Sequence, residues 1–182
     1  MVHKTYFYFI SKFEKSLFNK LEKNINIIYR NYEERYKKNE ILQIKKICKT
    51  QKRKFFLAND IKLAKNLNLD GAYIPSFNKD PVPINFKKKT FLILGSAHNL
   101  SEIIQKKKQN VDLFFISPLF KIKKRNYFLG PTKFNILRNH FNIKTIALGG
   151  INNQNLKKLS MINCYGFASI SYIEKYKLNG KK

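Results

Sequence analysis

Carboxylates are scarce in this 182-residue sequence: 11 Asp plus Glu stand against 37 Lys plus Arg, a formal net charge of +26. Such a balance points first to a polyanionic partner such as nucleic acid. Arginine, which reads phosphate and guanine bidentately, is scarce as well, with 5 residues against 32 lysines. Lys, Asn and Ile together make up 75 residues, and all three have A/T-rich codons, so the charge reads as compositional drift on a solvated surface, and nucleic acid is not the expected partner. Long apolar runs are missing too. Thr5–Ile10 is shorter than a signal-peptide core of about 7–15 residues, and no stretch reaches the roughly 18 residues of a membrane span. The two cysteines, Cys48 and Cys164, have neither metal-ligand nor CxxC spacing. They read as core residues of a protein kept in a reducing, cytoplasmic setting. No Gly/Ser-rich linker divides the chain, so residues 1–182 are expected to form a single domain. A content of 43% hydrophobic and 14% aromatic residues excludes a disordered basic tail.

What is present is an alternation. Short runs rich in Ile, Phe, Tyr and Val predict eight strands: Thr5–Ile10, Asn24–Arg30, Phe55–Asn59, Gly71–Pro75, Phe91–Ser96, Val111–Ser117, Thr145–Leu148 and Gly166–Ser171. Continuously apolar runs of this kind suit strands buried on both faces, as in parallel sheets. Amphipathic segments between them predict helices over Phe13–Lys23, Glu34–Lys49, Ile61–Leu69, Leu100–Lys108, Phe134–Phe141 and Gln154–Ile162. Segment 77–89 carries Pro81 and Pro83 and is read as lacking a full helix, and the tail after Ser171 is too short for a long one. Strand–helix alternation indicates βαβ units. The expected fold is α/β, a compact (β/α)8 TIM barrel with short terminal elements. An open doubly wound sheet is the competing arrangement, and no GxGxxG fingerprint supports a dinucleotide version of it.

In a parallel barrel chemistry sits where strands end. The residues closing the runs are Arg30, Asn59 with Asp60, Ser76 and Asn78, Ser96 and His98, Ser117, Gly149 with Gly150, and Ser169 to Ser171. Asp60 fits two roles: a cap on the helix starting at Ile61, or a ligand for Mg²⁺, which binds through one or two carboxylates plus substrate phosphates. Gly149-Gly150 reads either as a phosphate-binding turn or as a plain turn into the next helix. His98 is either a general base or a structural hydrogen bonder, and His3 and His140 are assigned nothing. Lys121–Arg125 is either a solvated run or a basic lid over an anionic substrate.

The stretches FLANDIKLAKNLNLDGAYIP, LGSAHNLSEII, VDLFFISPLF, IKTIALGGINNQNL and YGFASISYI resemble the thiamine phosphate synthase family and its TenI-like relatives, in the same order and spacing. The resemblance implies a (β/α)8 barrel, a transferase joining a pyrimidine diphosphate to a thiazole phosphate with release of pyrophosphate, and Mg²⁺ as cofactor. It implies that Asn59 and Ser96 contact the pyrimidine, that Asp60 ligates Mg²⁺, with Asn78 at the second metal-binding position, and that Gly150 (beside Gly149), Ile170 and Ser171 hold the thiazole phosphate. Arg30 falls on the arginine of the family's Gln-Leu-Arg-Glu-Lys motif, which here reads Ile28-Tyr29-Arg30-Asn31-Tyr32. The family's Thr-x-Thr-Lys lid reads Ile122-Lys123-Lys124-Arg125, so Arg125 keeps the positive charge. Arg30, His98 and Arg125 are the expected catalytic groups. Small phosphorylated pyrimidine and thiazole compounds are the expected partners. A TenI-like thiazole tautomerase and a non-catalytic phosphate-binding barrel are the alternatives.

Overall fold

The computed structural model describes residues 5–83, 90–123 and 126–178. Its strands are β1 (Thr5–Ile10), β2 (Ile25–Tyr29), β3 (Phe55–Ala58), β4 (Gly71–Ile74), β5 (Leu92–Ala97), β6 (Leu113–Ile116), β7 (Thr145–Leu148) and β8 (Gly166–Ala168). All neighbouring pairs are parallel, and β1 pairs with β8, so the sheet closes into a barrel in chain order. Around it lie α1 (Lys15–Lys20), α2 (Lys38–Thr50), α3 (Ile61–Asn66), α4 (Leu100–Lys108), α5 (Gly130–Phe141), a 3-10 helix (Leu156–Met161) and α6 (Ser171–Tyr176). The expected barrel is therefore formed, with every predicted strand within a few residues of its place.

Side chains alternate in and out along each strand. The inward set, including Phe7, Phe9, Phe56, Tyr73 and Phe115, makes one core, and the outward set packs under the helices as a second. Phe7–Phe115, Phe9–Tyr73 and Tyr73–Phe115 meet edge to face at centroid distances of 5.0, 5.3 and 5.5 Å. Each such contact adds about 0.5–1.5 kcal/mol beyond burial. Strands of three to six residues offer few inward positions, and wide rings fill the interior. Continuing the alternation by two residues toward the strand ends brings Arg30 after Ile28, Ser96 after Leu94 and Ser117 after Phe115. The floor is thus aromatic and the rim polar.

Several boundaries differ from expectation for identifiable reasons. The first helix covers Lys15–Lys20 rather than Phe13–Lys23, because Leu21 turns extended and bridges Leu178, while buried Arg53 donates to the carbonyls of Leu21, Glu22 and Ile25. Helix α2 starts at Lys38 because Asn31 Oδ1 accepts from the N–H groups of Glu33 and Glu34, forming a turn ahead of it. Helix α5 starts earlier, at Gly130, since Pro131 suits a first helical turn. The expected helix Gln154–Ile162 is a 3-10 helix, and the strand expected over Gly166–Ser171 stops at Ala168. There the Ser169 hydroxyl donates to Ile151 O and accepts from Tyr172 N, which turns the chain into α6. Residues 77–83 carry no helix, and 84–89 lie outside the described residues. Among the described residues no helix is long and apolar enough to cross a membrane.

Candidate functional site

Arg30 anchors the barrel mouth. Its N–H donates to Ile10 O at 2.8 Å, and its guanidinium lies 4.7 Å from the centre of the Phe9 ring. Phe9 in turn packs on buried Tyr73, and buried Ser96 stands on the strand paired with that of Tyr73. Burial pushes the Tyr73 phenol up, opposed by the neighbouring Ser96 hydroxyl and the Arg30 charge, so it stays protonated at neutral pH. Arg30, Phe9 and Tyr73 form one connected stack, with Ser96 on the neighbouring strand. Arg30 also lines a cavity of about 440 Å³ with Ser11, Lys12, Ile170 and Glu174, between the ends of β1, β2 and β8.

The turn after β3 is the second part of the site. Asn59 has φ of +61°, in the left-handed region that asparagine tolerates, and its Oδ1 accepts from Asn78 Nδ2 at 2.8 Å. The loops after β3 and β4 are thereby joined. Asp60 caps α3, with Oδ1 accepting from Leu63 N at 2.9 Å. The cap expected at Asp60 is present. Asn78 Oδ1 accepts from Asp80 N, so its oxygen is already engaged. Beneath this loop, fully buried Lys106 donates from Nζ to Asn78 O at 2.6 Å and to Gln109 Oε1 at 2.8 Å. Gln109 Nε2 donates to Asp80 O at 2.6 Å. Burial pushes the Lys106 ammonium down to about 8. Its aliphatic stem packs where Gly95 has no side chain, since a Cβ there would lie 3.2 Å from Lys106 Cδ.

Among the described residues no group of three or more His, Cys, Asp or Glu side chains could hold a metal. The two positions expected to meet a metal offer one carboxylate, Asp60, whose Oδ1 caps α3, and one amide, Asn78, whose Oδ1 accepts from Asp80 N.

His98 closes β5, half-buried. Its Nδ1 lies 2.7 Å from Ser117 O, a carbonyl that only accepts, so Nδ1 carries the proton and Nε2 holds the lone pair of the neutral ring. Its backbone N–H is taken by Glu102 Oε2, while Asn99 Oδ1 caps α4 through Glu102 N. His98 opens on a cavity of about 620 Å³ shared with Ser76 and Phe77, distinct from the one lined by Arg30.

Gly149 and Gly150 have φ of +90° and +72°. A Cβ on Gly150 would sit 2.5 Å from Phe120 O, and one on Gly149 3.0 Å from Ser117 Oγ. The close approach these glycines allow is therefore to the loop after β6. Gly150 O accepts from Asn155 Nδ2 at 2.7 Å. Ile170 is 41% exposed, and Ser171 is exposed at the first position of α6 rather than inside a strand. In the basic loop Lys121 and Lys123 are described; Lys124 and Arg125 lie outside the described residues. Cys48 is buried, which pushes its thiol up to about 12, as befits a core residue.

Sequence reasoning passed over Tyr73, Lys106, Gln109 and Phe77. Lys106 had a faint signal: three residues after Ile103, it falls on the buried face of α4. Tyr73 follows from the inward alternation of β4, once that strand is placed.

Comparison with known proteins follows the same barrel. The family model of thiamine monophosphate synthase matches residues 10–173. The chain belongs to the thiamine monophosphate synthase family. A thiamine-phosphate synthase of Methanosarcina mazei is 32% identical over 128 residues, 66% of this chain and 51% of that protein. One from Pelagibacter ubique is 31% identical over 142 residues, covering 74% of this chain and 68% of its own length. The chain thus spans about half the length of the first of these family members and 35% of another, from Prochlorococcus marinus. In fold, thiamine phosphate pyrophosphorylase from Pyrococcus furiosus superposes with a TM-score of 0.70 at 22% identity, over 92% of this chain and 85% of that one.

Proposed function

We propose that this chain is a thiamine-phosphate synthase, a transferase joining hydroxymethylpyrimidine diphosphate to thiazole phosphate. The observation that carries the reading is the stack of Arg30, Phe9 and Tyr73, with Ser96 on the neighbouring strand, beside the Asn59–Asn78 clasp, at the strand ends of a family barrel. In the reaction the bond between the pyrimidine methylene carbon and the diphosphate oxygen breaks, and a bond from the thiazole nitrogen to that carbon forms. Pyrophosphate leaves with the electron pair. Negative charge grows on the leaving group as positive charge grows on the methylene. Arg30, fixed by Phe9 and its own backbone bond, stabilises the first of these without reorganising. The buried rings of Phe9, Tyr73 and Phe115 keep water from the second. Ser96 and Asn59 orient the pyrimidine, and Gly150, Ile170 and Ser171 hold the thiazole phosphate. Asp60 would hold Mg²⁺ on the diphosphate, and that ion, when bound, neutralises leaving-group charge. Arg125 and the lysines of the 121–125 loop add counter-charge. The reaction needs no membrane and no nucleic acid, and its setting is the cytoplasm.

The test is thermal stability of the purified chain with each ligand, with and without Mg²⁺, since stabilisation grows with ligand concentration over its dissociation constant. A shift with both ligands, with the diphosphate response enhanced by Mg²⁺, is expected. A shift with thiazole phosphate alone would overturn the synthase reading. That outcome would favour the tautomerase alternative, for which His98 is the specific support: its Nδ1 bond to Ser117 O leaves Nε2 as a base.

A further inference from the structure

Two aromatic residues on the rim have no part in the mechanism above. Tyr32 lies in the loop after β2 and Phe77 in the loop after β4, on either side of the Asn59–Asp60 turn that follows β3. They are 46% and 61% exposed, and they meet edge to face at 5.4 Å with 79° between the ring planes. Such a pair covers one face of one ring and leaves the remaining faces uncovered by that contact. Both line a cavity of about 620 Å³ together with Asn59 and Asp60. Arg35 and Lys38 line the same cavity, as does Glu34, whose carboxylate is 3.7 Å from Lys37 Nζ. Tyr32 occupies the position at which the family motif carries lysine. A ring therefore stands where a counter-charge is expected, and the basic groups are displaced by three and six residues onto the wall of the cavity. Partial burial raises the Tyr32 phenol, so it stays neutral and does not repel an anion.

We propose that Tyr32 and Phe77 form a stacking subsite for the pyrimidine ring, with Arg35 and Lys38 meeting the diphosphate; as an assignment of that substrate, the proposal rests on the synthase reading. Aromatic stacking is sequence-tolerant because it uses the π-face alone, and its loss on truncation is large enough to measure.

The chain has no tryptophan, so Phe77→Trp places a single reporter in the subsite. We expect its emission to be quenched by hydroxymethylpyrimidine diphosphate and, more weakly, by the free alcohol hydroxymethylpyrimidine, and to be unaffected by inorganic pyrophosphate. Calorimetry should show Tyr32→Ala and Phe77→Ala each weakening the pyrimidine diphosphate on the order of ten-fold, with Tyr32→Phe near wild type and thiazole phosphate unchanged. Tight diphosphate binding with no change in emission, and full affinity in both alanine variants, would overturn the subsite and leave the synthase reading standing. Quenching by the alcohol in a protein that neither binds nor turns over the diphosphate would support the ring subsite and sink the synthase reading. No response to either pyrimidine, in the reporter or by calorimetry on the wild type, would overturn both.

Discussion

Replacing Lys106 by methionine gives a quantitative check on the loop-holding contacts. The lysine is fully buried on α4, bonded to Asn78 O and Gln109 Oε1, with its ammonium pushed down to about 8 from the ordinary 10.5. Glu102 on the same helix is the charge that partly offsets this, and Asn78 and Gln109 face it as neutral groups. Because the folded value is the lower one, between about 8 and 10.5 the unfolded chain binds more protons than the folded one. Wild-type stability attributable to this group therefore rises with pH across that window. From about 8 to 9.5 the rise is about 2 kcal/mol, at 1.36 kcal/mol per pH decade. Methionine abolishes the titration and removes two hydrogen bonds, leaving the carbonyl of Asn78 with the longer Gln109 contact alone. That loss costs about 1–3 kcal/mol at any pH. Urea melts of both proteins at pH 7 and pH 9.5 should thus show the variant's deficit widening by about 2 kcal/mol, because the other titrating groups cancel in the difference. A deficit that stays constant with pH would refute the assignment of a buried, strained ammonium at this position.

Other substitutions test neighbouring parts of the site. Asp60→Asn keeps an acceptor for Leu63 N and should hold stability within about 0.5 kcal/mol, whereas Asp60→Ala should cost about 1 kcal/mol. Both should lose the Mg²⁺-dependent part of diphosphate binding, read by calorimetry with and without the ion. Gly150→Ala combines a left-handed backbone with a Cβ 2.5 Å from Phe120 O, and should cost about 2 kcal/mol or more in a urea melt.

Much of the barrel was legible in the sequence because buried parallel strands are continuously apolar and their spacing marks the βαβ repeat. What escaped were boundaries decided by side-chain contacts between distant residues. Arg53 takes the carbonyls that would have extended α1, and the Ser169 hydroxyl ends β8 at Ala168, three residues short of the expected Ser171. Candidate site residues could be named because strand ends could be placed. Lys106 was hidden among 32 lysines, and its burial depends on Gly95 leaving room for its stem. The Tyr32–Phe77 pair joins loops 45 positions apart, and nothing local in either loop announces the other.

Release of pyrophosphate tests the central claim most directly. Phosphorus NMR of the purified chain with pyrimidine diphosphate, thiazole phosphate and Mg²⁺ should show pyrophosphate and thiamine phosphate appearing in equal amounts, with Arg30→Gln slowing both. Binding of both substrates without pyrophosphate release at any Mg²⁺ concentration would contradict it.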